Sequence, residues 1–239
     1  MVNKLIGILF GALFVAYTAA AQNVTKPQVS PKAYYLDAKN TWQESTKIED
    51  QDAPLEVTFK ANPQNLGEAT LSYEWHFRKQ GEEAEFLVRY EEETTYRFVE
   101  SGTFDITLKA TISETGEPLD SANNTISVAI SESKLEFPNA FSPNDDDIND
   151  TFHAKEGYRS IVEFHAYIFN RWGQKLYEWT DPAGAWDGKY HGHYVKDGVY
   201  YLLVNAKGAD GRVYNIRKDV NVLKGFNEGT SSSSTTTTE

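Results

Sequence analysis

The sequence predicts an all-β protein in which two antiparallel β-sandwich domains stand in tandem behind a signal peptide. Three observations carry this expectation. Apolar residues recur with a period of two in short segments, Gly-centred turns punctuate those segments, and no long run shows the 3.6-residue apolar period of a helix. A chain of 239 residues that is 40% hydrophobic and 13% aromatic is long and apolar enough to bury its own cores.

Residues 1–21 read as a signal peptide. Lys4 supplies the positive start, residues 5–16 (LIGILFGALFVA) the apolar core, and Ala19, Ala20 and Ala21 the small residues before cleavage. The apolar run is shorter than the roughly 20 residues of a membrane span and no basic cluster follows it, so no transmembrane segment is expected after cleavage. Residues 22–32, polar with two prolines, read as a linker. Residues 33–133 form the first domain, with strands expected at 55–61, 71–77, 85–90, 95–99, 103–112 and 125–130. In the fifth of these, Phe104, Ile106, Leu108, Ala110 and Ile112 share one face while Thr103, Asp105, Thr107, Lys109 and Thr111 share the other. Residues 134–224 form the second domain. Strands are expected at 134–141, at 161–170 and 175–179 as a hairpin, and at 199–206 and 212–223. Asp-Gly pairs at 187–188, 197–198 and 210–211 mark turns that need a positive φ. Residues 225–239, rich in Ser and Thr, read as a disordered tail.

Charge narrows the function. The mature chain holds 22 basic and 35 acidic residues, a net charge of −13, which argues against nucleic acid or an anionic bilayer as partner. The acidity is concentrated in residues 22–133, with 10 basic and 20 acidic residues against 12 and 15 in residues 134–239. Its densest run, Glu82, Glu83, Glu85, Glu91, Glu92 and Glu93, reads as a solvated edge guarded against strand pairing. With no cysteine there is neither a disulfide framework nor a thiolate site.

The segments FPNAFSPNDDDINDTF (137–152), IFNRWGQKLYE (168–178), WDGKYHG (186–192), VKDGVYYLLV (195–204) and DVNVLK (219–224) resemble the gliding-motility-associated C-terminal domain. That family is the type B sorting domain of the Bacteroidetes type IX secretion system. The resemblance implies a small immunoglobulin-like sandwich read by the outer-membrane translocon and its accessory protein, and hence export through the periplasm to the cell surface or medium. By the same resemblance the recognition residues are Phe141, Ser142, Pro143, Asn144, Asp150, Phe152, Asn170, Arg171, Trp172, Gly173, Trp186, Asp187, Gly188, Asp197, Gly198, Asp219 and Val220. Asp147 stands where the family usually has Gly, and 15 residues follow Lys224 where the family domain usually ends. Upstream, APLEVTFKANP (53–63), YEWHF (73–77) and YRFVESGTFDITLKAT (96–111) more loosely resemble a PKD-type sandwich, which implies a second immunoglobulin-like fold serving as a spacer or binding module.

Several residues invite a chemical reading. Asp145, Asp147, Asn149 and Glu156 fall at EF-hand-like relative positions and are candidate Ca²⁺ ligands, although Asp150 occupies the position that wants Gly; Asx-turns are the leading reading of the cluster. No other cofactor is expected. His191, His193 and His165 read as surface residues. Trp172, Trp179 and Trp186, with Tyr177, Tyr190, Tyr200 and Tyr201, read chiefly as core and alternatively as a sugar platform. Asn23 and Asn123 open N-glycan sequons, which the resemblance to a bacterial family implies are idle, and residues 120–122 resemble a Bacteroidetes O-glycosylation motif. No Gly-x-Ser-x-Gly elbow, His-Glu-x-x-His pair or phosphate loop occurs, so no catalytic residue is assigned. The expectation is a non-enzymatic exported protein, with a surface adhesin or carbohydrate-binding module as the alternative.

Overall fold

The computed structural model describes residues 26–119 and 124–225. The signal peptide, both N-glycan asparagines, the 120–122 motif and nearly all of the Ser/Thr-rich tail lie outside the described residues. Among the described residues there is no helix. The first unit contains β1 (Gln28–Val29), β2 (Lys32–Leu36), β3 (Trp42–Ser45), β4 (Lys47–Gln51), β5 (Leu55–Lys60), β6 (Pro63–Gln64), β7 (Leu71–Lys79), β8 (Glu85–Arg89), β9 (Glu93–Phe98), β10 (Gly102–Ile112) and β11 (Thr125–Ile130). Its two sheets, ordered β4-β11-β10-β7-β8 and β3-β2-β5-β9, pack face to face. Alternation along the strands sends Phe59, Trp75, Phe77, Phe98, Ile106 and Leu108 into one core. Phe59 touches three of those rings edge-on or tilted, with centroids 5.5–6.4 Å apart.

Residues 22–32 are not simply a linker. Gln28 and Val29 pair antiparallel with Gln64 and Pro63, and Val29 is buried in the first core. Strands β2, β3 and β4 were absent from the sequence expectation. β3 and β4 are edge strands with few inward apolar residues, so their alternation is weak, while in β2 only Ala33 and Tyr35 point inward.

The second unit contains β12 (Ala140–Phe141), β13 (Phe152–His153), β14 (Ile161–Phe169), β15 (Lys175–Trp179), β16 (Ala185–Trp186), β17 (Lys189–Tyr190), β18 (His193–Tyr194), β19 (Gly198–Gly208) and β20 (Val213–Val222). One five-stranded sheet, ordered β12-β20-β19-β14-β15, supplies Ala166, Ile168, Leu202, Val204, Val220 and Val222 to the core. The covering layer is the two-stranded ribbon β13-β16 with the irregular 134–139 segment, which contribute Phe152, Trp186, Leu135 and Phe137. Residues 134–139 are not a strand as expected: Pro138 interrupts the run, although Leu135 and Phe137 still point inward. The ladders are antiparallel except at one edge of each unit, where β4 runs parallel to β11 and β12 parallel to β20.

Candidate recognition surface

Register fixes where the motif residues lie. Along β14 and β19, Ile161 is opposite Gly208 at one end and Phe169 opposite Tyr201 at the other. At that second end Gly198 is opposite Val222, and Phe141 also pairs with Val222. The 142–150 loop, the 170–173 hairpin tip and the 197–198 turn therefore gather at one end of the second sheet. The turn at Gly208–Gly211 is at the other, separated by the eleven residues of β19, about 35 Å of extended chain.

The acidic loop is organised around Asp150. Its carboxylate accepts backbone N–H groups from Asn144 (2.8 Å), Asp145 (2.8 Å) and Asp147 (2.7 Å). Partial burial pushes the Asp150 carboxyl up, but the three N–H donors outweigh it and hold the group below its ordinary range. Asp145, Asp147 and Asn149 all have φ between 54° and 64°, a left-handed conformation that Asp and Asn tolerate. That geometry explains why Asp147 can stand where the family usually has Gly. Ser142 is buried, with its Oγ donating to the Ile148 carbonyl at 3.3 Å.

The proposed calcium ligands are not brought together. Asp145 accepts the Tyr194 hydroxyl at 2.6 Å, Asp147 and Asn149 are exposed around the loop, and Glu156 is exposed beyond β13. Among the described residues no group of three or more His, Cys, Asp or Glu side chains is placed to hold a metal ion. The physical reason is the direction of the backbone: its N–H groups converge on a carboxylate, and the oxygens a cation needs are spread around the rim.

The 186–188 turn locks onto this loop. Trp186 is fully buried, with its ring centroid 5.3 Å from Phe141 and its indole N–H donating to the Lys189 carbonyl at 3.0 Å. Phe152 is opposite Trp186 in the ribbon. Asp187 accepts the Lys189 N–H at 3.0 Å, closing the turn. Gly188 has φ +74°, and a β carbon there would meet Pro143 Cγ at 2.8 Å. Gly188→Ala is expected to destabilise the second sandwich by about 1–3 kcal/mol through strain and overpacking, read as a lower urea midpoint at unchanged slope.

The hairpin tip is built differently. Asn170 Oδ1 accepts the N–H groups of Trp172 and Gln174, both at 3.0 Å, and Gly173 takes φ +80°. Trp172 is left 76% exposed, with the Arg171 guanidinium 4.3 Å from its ring centroid. Beside it opens a cavity of about 440 Å³ whose lining includes Tyr190, Asp197, Gly198 and Tyr200. Gln174 donates to the Tyr190 hydroxyl at 3.0 Å, and Tyr200 stacks edge-on to Trp186 at 5.6 Å, tying tip and loop together. The last two motif residues divide: Val220 is core, whereas Asp219 is opposite Tyr201 and lines a shallow hollow.

Trp179 and Trp186 are core residues and cannot form a sugar platform; Trp172 alone of the three is exposed. His191 and His193 are exposed. His165 bonds to the Tyr167 hydroxyl at 3.0 Å on the outer face. Tyr194, which ties the acidic loop to β18, was not anticipated; its signal is a long-range contact that spacing does not encode.

No curated protein matches the chain. Among solved structures it is similar to the FN1–FN3 domains of chicken CNTN1 at 12% identity, covering 72% of this chain and 64% of that one, with a TM-score of 0.27. It is also similar to three N-terminal domains of the Highly Immunogenic Outer Capsid protein (Hoc) of bacteriophage RB49 at 14% identity, covering 82% and 59%, with a TM-score of 0.36. The chain thus spans less than two thirds of either structure. Residues 135–216 match the model of the CHU_C type IX secretion signal domain, and the second sandwich is a domain of that family.

Proposed function

We propose that this protein is a non-enzymatic exported protein. Its second sandwich presents the 142–150 loop, the Arg171-Trp172-Gly173 tip and the 197–198 turn to the outer-membrane type IX translocon and its accessory protein. The first sandwich travels with it as a PKD-like spacer or binding module, delivered to the cell surface or medium. The observation that carries this reading is the gathering of the motif loops at one end of the second sheet, the end remote from the first sandwich, with Trp172 open to solvent. Exposed Trp and Arg side chains side by side are the residue types that dominate binding hot spots.

The test is location. A reporter directed to the periplasm and fused ahead of residues 26–225 is expected to reach the surface or medium of a type IX-competent host, while the same reporter ahead of residues 26–133 stays inside. Trp172→Ala in the longer fusion should lower export about tenfold or more, because the lost contact is at an interface. Its melting temperature should not move. Equal location of the two fusions would remove the proposal.

A further inference from the structure

The junction between the sandwiches is built like a core. Only residues 131–133 separate the end of β11 from Lys134, which already exchanges backbone hydrogen bonds with Arg159 at 3.0 Å in both directions. Ser131 and Ser133 are buried. Ser133 Oγ donates to Asp210 at 2.7 Å and contacts the Tyr214 hydroxyl at 2.9 Å, and a β carbon on Gly208 would collide with the Ser133 side chain.

Contacts then cross the junction in both directions. Ala209, from the turn after β19, belongs to the core of the first sandwich, and Val162 packs against that core. The Ser101 N–H donates to the Ala209 carbonyl at 3.0 Å, while the Ala209 N–H donates to the Ser160 carbonyl at 2.9 Å. Ser160, buried and held at φ +50°, accepts the Ala53 N–H on its Oγ at 3.2 Å. At the rim Arg159 is 3.7 Å from Asp50, whose carboxylate also accepts the Ser131 hydroxyl at 2.7 Å. Flexibly joined domains have no such features: the connection has no slack, and buried backbone groups on each side depend on the other for a partner.

We propose that the 208–211 turn and Ser160 form a docking surface whose partner is the end of the first sandwich, and that the two sandwiches therefore unfold as one cooperative unit. The recognition loops at the far end then keep their native shape only while the upstream domain is folded. Export thereby becomes sensitive to the folding of what is exported; this consequence rests on the sorting role proposed above.

Calorimetry and hydrogen exchange on the purified chain test the coupling without reference to export. The chain from Gln22 onward should melt in a single transition with equal calorimetric and van't Hoff enthalpies. Ala209→Glu places a charge in the first core and should split that transition in two. Because this variant could lose its fold altogether, a milder one is decisive. Ile106→Val, in the core of the first sandwich, should speed exchange of the most protected amides of β19 by about two- to tenfold, the fold-change expected of one lost buried methyl. Two transitions in the unaltered chain, or exchange in β19 unchanged by Ile106→Val, would overturn the coupling and leave the sorting role standing. Normal coupling with no dependence of export on the second sandwich would do the reverse.

Discussion

Trp186→Ala is expected to remove about 3–5 kcal/mol from the stability of the second sandwich, the range for truncating a fully buried Trp. A domain is stable by only about 5–15 kcal/mol, so between about a fifth of the total and all of it is at stake. The loss has three parts. The indole fills the space between Phe141 and Tyr200, with centroids 5.3 and 5.6 Å away, and alanine leaves a cavity there. The Lys189 carbonyl loses its donor. The β13-β16 ribbon, held by two residue pairs, loses the side chain that anchors it to the sheet. Because the same ribbon backs the 186–188 turn and the Phe141–Pro143 loop, Trp186→Ala should lower export in step with the share of the domain it leaves unfolded. Urea titration followed by near-UV circular dichroism checks the stability. Trp172→Ala is the matched control, expected within about 0.5 kcal/mol of the unaltered chain because the ring is exposed. A Trp186→Ala protein with an unchanged urea midpoint would show that the indole is not the keystone of this layer.

The contrast between the two tryptophans shows what could be read from the sequence. Strong alternation made β5, β7, β10, β11, β14, β19 and β20 legible, because each buries one face and a period of two follows from that. The motif residues were legible as a set through the family resemblance, but their separate tasks were not. Trp186 and Val220 hold the core, Gly188 allows close approach of Pro143, Asp150 gathers backbone N–H groups, and Trp172 faces solvent. A sequence pattern keeps all of these residues without saying which of them a partner could touch. The polar edge strands β3 and β4 were missed because they are stabilised by pairing more than by burial. The junction was missed for a related reason. Ser133, Ser160 and Ala209 are small residues with no periodic signature, and 209–211 announced itself only as a turn.

Asp150→Asn should weaken the second sandwich at neutral pH and flatten its acid limb. The carboxylate accepts three backbone N–H groups through two oxygens, two on Oδ1 and one on Oδ2. An amide keeps one acceptor oxygen and turns an N–H₂ toward donors, so at least one N–H loses its partner and the left-handed run at 145–149 loses its organising centre. The pH dependence follows from the sign of the shift. The folded-state pKa of Asp150 lies below its ordinary value, burial acting upward and the Asn144, Asp145 and Asp147 N–H donors outweighing it. The stabilisation is therefore complete above the unfolded-state pKa, near 3.9 for Asp, and disappears as the pH falls through the lower folded-state value. Urea midpoints of the unaltered chain and of Asp150→Asn should differ by a constant amount between pH 7 and pH 5, then converge below pH 4. A difference that persists unchanged at pH 3 would mean that the charge of Asp150 does not hold the loop. If the loop is what the translocon reads, export of Asp150→Asn should fall further than its loss of stability alone accounts for, because a misformed loop fails recognition even on a folded domain.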